Sequence, residues 1–214
     1  MKRTVLVAVL VSVVIGSGLA RISGAAILNS KHDLTKVTGV TMPDGQTCVA
    51  CHTPHNADVS TTDAPLWNHQ LSAVTDYTMY SSPTFQGTIS AQPTGVSKLC
   101  MACHDGTVAV DAFGGMAHSD LHGNVKIGSI NTGSGNLGTN LKKSHPVSFT
   151  YDDALATTDG ELVKPSESAN IQKWVKNGRF ECSSCHDVHD NTSFSKMLNA
   201  SNTGSGLCIT CHKK

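Results

Sequence analysis

Aromatic side chains are scarce: Phe, Trp and Tyr make up 5% of the chain. Gly, Ser, Thr and Asn are abundant instead, and such a polypeptide is a poor former of its own hydrophobic core. Long apolar runs are also missing beyond residues 5–15, so no later segment reaches the ~20 residues that a helical membrane span needs. Charge of one sign is not in excess, with 16 basic and 16 acidic residues. That excludes the electrostatic footprint of a nucleic-acid or anionic-lipid binder. Finally, no cysteine is left over: all eight fall into four copies of a single pattern.

The copies read "CVACH" (Cys48, Cys51, His52), "CMACH" (Cys100, Cys103, His104), "CSSCH" (Cys182, Cys185, His186) and "CITCH" (Cys208, Cys211, His212). C-x-x-C-H is the signature of covalent c-type haem attachment. Each part has a geometric job. Two intervening residues set the sulfurs at the separation of the two porphyrin vinyl groups, and the adjacent histidine points at the iron as its proximal ligand. Structural zinc also uses paired C-x-x-C units, but requires no histidine after each pair. A thioredoxin-like redox pair would sit on a βαβ background that the sequence lacks. Histidine is 11 of 214 residues, so its placement after all four pairs is not accidental. The expected cofactor is haem c, four per chain and covalently bound.

Residues 1–25 read as a secretory signal peptide: Lys2 and Arg3, a short apolar core, then small residues around a cleavage site after Ala25. Its removal leaves about 189 residues with 13 basic and 16 acidic side chains. The expectation is a secreted mature protein without a membrane span, located outside the cell or at its surface, with the periplasm as the alternative. About 47 residues then serve each haem. Porphyrins would supply the buried surface, and thioether and axial bonds would staple the chain as disulfides staple small secreted folds.

The four motifs alternate. The first and third continue to a second histidine, "CVACHTPH" and "CSSCHDVH", whereas the second and fourth follow a Gly/Ser segment and a Leu. Residues 26–214 therefore read as one tetrahaem domain made of two two-haem halves, about 26–127 and 141–214. The Gly/Ser/Asn-rich segment 128–140 either links two lobes or is a surface loop. Regular structure should be sparse: a helix over 166–177 ending at Gly178, a short extended segment at "HPVSFTY", and short helices around the motifs. The expected fold class is a multihaem cytochrome c, mostly irregular coil with short α-helices wrapped round a stack of four haems and little β-structure.

Seven histidines remain for the sixth iron ligands: His32, His55, His69, His118, His122, His145 and His189. The methionines follow no pattern, so bis-histidine ligation is favoured, which makes low-potential haems. His55 cannot share an iron with His52. A three-residue step from a ligand tethered beside both thioethers cannot wrap round the porphyrin to its opposite face. The same holds for His189 and His186, so both extra histidines should reach other haems.

The stretches "SKHDLT", "CVACHTPHNA", "APLWNH", "LCMACHDGTVAVD", "SHPVSFTYDDALA", "CSSCHDVHD" and "LCITCH" together resemble the extracellular tetrahaem cytochromes of metal-reducing bacteria that polymerise into haem-chain filaments (OmcE-type nanowires). The likeness extends over nearly the whole mature sequence. It implies bis-histidine haems in a continuous stack, with a histidine able to cross to an adjacent subunit. It also implies His32, His55, His145 and His189 as distal ligands, with His69 in reserve and His118 and His122 as surface or inter-subunit residues.

The expectation is therefore an electron-transfer protein, not an enzyme. Its partners would be further copies of itself in a head-to-tail filament, other redox cytochromes and external electron acceptors. A soluble monomeric periplasmic shuttle is the alternative, and a multihaem reductase, which needs one five-coordinate iron, comes third. His32 would lie only seven residues into the mature chain, on a segment with little apolar content. It could ligate a haem of its own chain or of the next subunit.

Overall fold

The structure is a computed structural model that describes residues 27–64, 66–114, 125–130, 135–190 and 192–213. The signal-peptide reading of residues 1–25 falls outside these, as do His118 and His122. Among the described residues there are four short α-helices: α1 (Gly95–His104), α2 (Asp153–Asp159), α3 (Ala169–Trp174) and α4 (Gly206–Cys211). One antiparallel ladder joins β1 (Phe149–Thr150) to β2 (Arg179–Phe180), with Phe149 opposite Phe180. Short 3-10 helices, isolated β-bridges, turns and coil make up the rest of the described residues. Among these, no helix is long and apolar enough to cross a membrane.

The helix expected over 166–177 is split. A 3-10 turn occupies Pro165–Glu167, and the Ser168 side chain then caps α3 by accepting the Ile171 amide. Val175 leaves helical geometry, and a second 3-10 turn, Lys176–Gly178, passes through Asn177 at φ 52°. The apolar trio remains buried all the same: Ile171, Trp174 and Val175 are at most 8% exposed. Tertiary packing kept the apolar face and discarded the helical continuity.

The extended "HPVSFTY" segment contains β1. Its Phe149 and Tyr151 join Ala156, Ile171, Val175 and Phe180 in the largest apolar cluster, on which Cys185 and Cys211 pack. Phe149 stacks on Phe180 at 5.2 Å and meets Phe85 edge-on at the same distance. Smaller clusters sit beside the first two motifs: Met42, Ala50 and Phe113, and Tyr77, Met101 and Leu141. So few large side chains make a discontinuous core, and these three pieces of it each abut a C-x-x-C-H unit.

The halves on either side of 128–140 are interleaved. The Thr78 amide donates to the Thr139 carbonyl at 3.0 Å, and the Thr78 carbonyl accepts from the Leu141 amide at 2.8 Å. Helix α1 packs on the 3-10 turn Cys182–Ser184 of the third motif. A buried carboxylate fastens that joint. Glu181 accepts from the Thr94 and Ser148 hydroxyls at 3.0 Å each, and Arg179 lies 3.6 Å away. The Cys182 amide bonds to Ser97 on α1 at 3.0 Å. Gly95 begins α1 at φ 46°, and a Cβ there would meet Glu181 Oε1 at 3.4 Å.

Candidate metal centres

Each C-x-x-C-H unit folds as a single tight turn. In the first, third and fourth motifs the histidine amide donates to the carbonyl of the first cysteine, at 2.9, 3.1 and 3.0 Å for His52, His186 and His212. The second motif is the C-terminal half of α1, and the fourth lies in α4 and ends in His212. The third has a 3-10 turn and the first only a turn, so short helices surround some motifs rather than all. All eight thiols are free. Burial pushes the Cys51 and Cys185 thiols up to about 11. Among the described residues no three His, Cys, Asp or Glu side chains gather into a metal-ion site.

The histidines fall into facing pairs. His32 stands 5.9 Å from His104, His52 stands 6.0 Å from His189, and His145 stands 6.3 Å from His212, between ring centres. Two imidazoles on opposite sides of one metal ion have a calculable separation. A metal–nitrogen bond of about 2 Å and a ring radius of about 1.1 Å, from ring bonds of ~1.33 Å, occur on each side. Their total is about 6.2 Å, which the three pairs bracket. These residues fit the group that the motifs imply: each pair joins a proximal histidine to one of the sequence-expected distal positions. His189 faces His52 rather than its near neighbour His186, and His32 faces a histidine of its own chain.

The fourth expected distal ligand, His55, and the remaining proximal histidine, His186, form no such pair in the described residues. His55 and His186 are exposed, and among the described residues no imidazole stands at such a distance from either. His69, held in reserve from the sequence, is only 3% exposed. Its Nδ1 lies 2.8 Å from the Gln70 carbonyl and its Nε2 lies 3.0 Å from the Ala109 carbonyl. Both ring nitrogens face backbone oxygen, so His69 braces the chain beside Cys103, whose sulfur is 3.4 Å away.

Ring orientation is fixed from behind. A ligating imidazole that donates Nδ1–H elsewhere keeps Nε2 for the metal. His104, His145 and His186 have the carbonyls of Gly135, Pro146 and Lys196 at 2.6, 2.9 and 3.1 Å from Nδ1. His32 has the Met197 sulfur, at 3.2 Å. Burial, followed by the neighbouring His104, His186 and His189, lowers the His32 pKa to about 4, so the ring is neutral and able to ligate. Its loop is tied by Asp33, 1% exposed, which accepts from the Asn29 amide at 2.7 Å and from the amide and hydroxyl of Thr35.

Sequence reasoning found no role for Asp105. Its buried carboxylate accepts from Ser72 and Tyr77 hydroxyls at 2.5 Å each, and from the Thr107 amide and hydroxyl at 2.7 and 2.8 Å. Burial opposes ionisation, yet these bonds hold its pKa below the usual value. Asp105 thus closes the loop after His104. Neither Glu181 nor Met197 carried a sequence signal either, since Thr94, which bonds Glu181, lies 87 residues away, and His32, which faces Met197, lies 165 away.

The second motif's helix α1 packs on the turn of the third motif, and Cys185 and Cys211, of the third and fourth motifs, pack on the same apolar cluster. A family model described as the doubled CXXCH motif matches residues 173–214, which contain the third and fourth motifs. A search of curated proteins found no match. The doubled motif indicates a multihaem c-type cytochrome, with covalently held haem c and haem-based electron transfer.

Proposed function

We propose that the chain carries four bis-histidine haems and passes electrons between copies of itself in a head-to-tail filament outside the cell, without substrate chemistry. Bound haem supplies a one-electron iron couple at each motif. The chain's own residues hold the pairs His52/His189, His104/His32 and His212/His145, and orient them through the backbone acceptors behind Nδ1. Packing of the second motif on the third, and of the third and fourth on one apolar cluster, keeps those centres adjacent.

The observation that carries the assembly reading is the unmatched pair. Among the described residues, His186 is an exposed proximal histidine with no imidazole stacked or edge-on against it, and His55 is an exposed histidine that faces no proximal one. Placed on neighbouring copies, each completes the other. This is a head-to-tail contact, which propagates into an open filament when the rotation does not close. Apolar surface flanks both. Val59, 89% exposed, and Leu66, 55% exposed, lie on the loop of His55, and Phe194 follows the third motif. The residue that crosses is therefore His55, with His32 serving its own chain.

Negative-stain microscopy and ferric spectra of His55→Ala test this. The expected result is folded monomers with one high-spin iron per chain and no filaments. Filaments with wholly low-spin iron in this variant would refute it. The exposed His186 also suits a second reading, a reductase with one open iron. In that case the unmodified assembled protein binds one equivalent of carbon monoxide when reduced, whereas the filament binds none.

A further inference from the structure

We infer that Met197 is a positioning residue for the iron between His32 and His104, and that its sulfur sets that iron's potential through the His32 ring. The inference rests on the ligation of that iron by His32. Met197 is buried, and its Sδ is the atom that faces His32 Nδ1, at 3.2 Å.

The contact is built into a constrained turn. Lys196 and Met197 stand consecutively at φ 59° and 56°, a left-handed pair that non-glycine residues rarely adopt. Surrounding bonds dictate that conformation. The Met197 carbonyl accepts from the Asp187 amide at 2.8 Å, and the Asn199 amide donates to the Cys185 carbonyl at 2.9 Å. The Asn199 side chain adds bonds to the Ser183 and Ser184 carbonyls at 2.9 and 3.0 Å. One turn thereby supplies acceptors to ligands of two motifs: the Lys196 carbonyl behind His186, and the Met197 thioether behind His32.

The two acceptors differ in strength. A carbonyl is a full hydrogen-bond acceptor, whereas a thioether is a weak one. The stronger the bond accepted from Nδ1–H, the more basic the imidazole becomes at its other nitrogen. A more basic ligand stabilises ferric over ferrous iron and lowers the potential. His104, His145 and His186 each have a carbonyl behind them; His32 has sulfur. The His32 iron therefore sits higher than it would with a carbonyl acceptor, and lower than with no acceptor at all.

That ordering gives the test a sign that packing damage cannot imitate. Met197→Leu removes the acceptor at nearly constant volume, and Met197→Gln substitutes an amide carbonyl. EPR-monitored redox titration of the full haem-loaded protein follows each iron, and the His32 iron is identified as the one that becomes high-spin in His32→Ala. The expected result is an upward shift of that one potential in the Leu variant and a downward shift in the Gln variant, with all four irons still low-spin. Shifts of the same sign, or none, overturn the role of Met197 while leaving ligation intact. If His32→Ala stays wholly low-spin, His32 is not a ligand and the inference fails with that reading.

Discussion

Replacing His189 with alanine tests the crossed arrangement most directly. Its ring faces His52 at 6.0 Å with an interplanar angle of 23°, and its backbone is held independently by Asp187, which accepts the amide at 2.9 Å. The substitution should therefore leave the local loop in place while opening one iron. The expected signature is a quarter of the iron converted to high spin, and one carbon monoxide bound per chain after reduction. The stability effect follows from topology. The metal-bridged pair joins positions 137 residues apart, and closing a loop of that size is worth about 5 kcal/mol in the chain-entropy model. Other cross-links already shorten the loop, so this is an upper bound, and a loss of about 2–5 kcal/mol in denaturant unfolding is expected. A second variant fixes which iron is involved. With Cys48 and Cys51 also changed to alanine, the first haem is absent, and His189→Ala should then create no high-spin iron. If high-spin iron persists in that background, His189 serves a different haem and its pairing with His52 is wrong.

Two further outcomes can be measured on the intact protein. The facing rings make angles of 23° in His52/His189 and 71° in His145/His212, so low-temperature EPR should place the largest g value higher for the second pair. Coincident signals for the two, assigned through His189→Ala and His145→Ala, would contradict the ring geometry. Asp105→Asn should cost about 2–4 kcal/mol of stability through its charged hydrogen bonds, measured by denaturant unfolding. Because the folded carboxylate pKa lies below its unfolded value, the wild-type advantage is complete above about pH 4 and vanishes as pH falls through the lower folded value. An advantage that instead grows on acidification would exclude the assigned ionised network.

What could be read beforehand was chemistry held in short range. The C-x-x-C-H spacing names its own cofactor, and the exclusion of His55 from the iron of His52 needs nothing beyond the reach of three residues. The His189 ring faces that of His52. Pairing over long range was not legible. Nothing near His32 announces His104 rather than a neighbouring subunit, and nothing in "LWNH" reveals that both nitrogens of His69 face carbonyls. The split of the 166–177 helix arises from the Ser168 cap and from burial of Val175 against an aromatic cluster assembled from residues 85–180. Asp105, Glu181 and Met197 look unremarkable in sequence because each acts through partners brought to it only by the finished fold.

The separation of His52 from His189 also has a consequence for how the molecule is made. A chain that emerges N-terminus first presents the first motif long before residue 189, so His52 can meet its haem while its proposed companion is still to come. Native pairing at that centre is among the longest-range contacts in the protein, and contacts of this kind close late and slowly. His32, only 20 residues upstream, is at hand much earlier. The early chain thus meets a choice between a nearby wrong companion and a distant right one. Maturation speed should depend on how readily His32 lets go once α1 brings His104 within its reach.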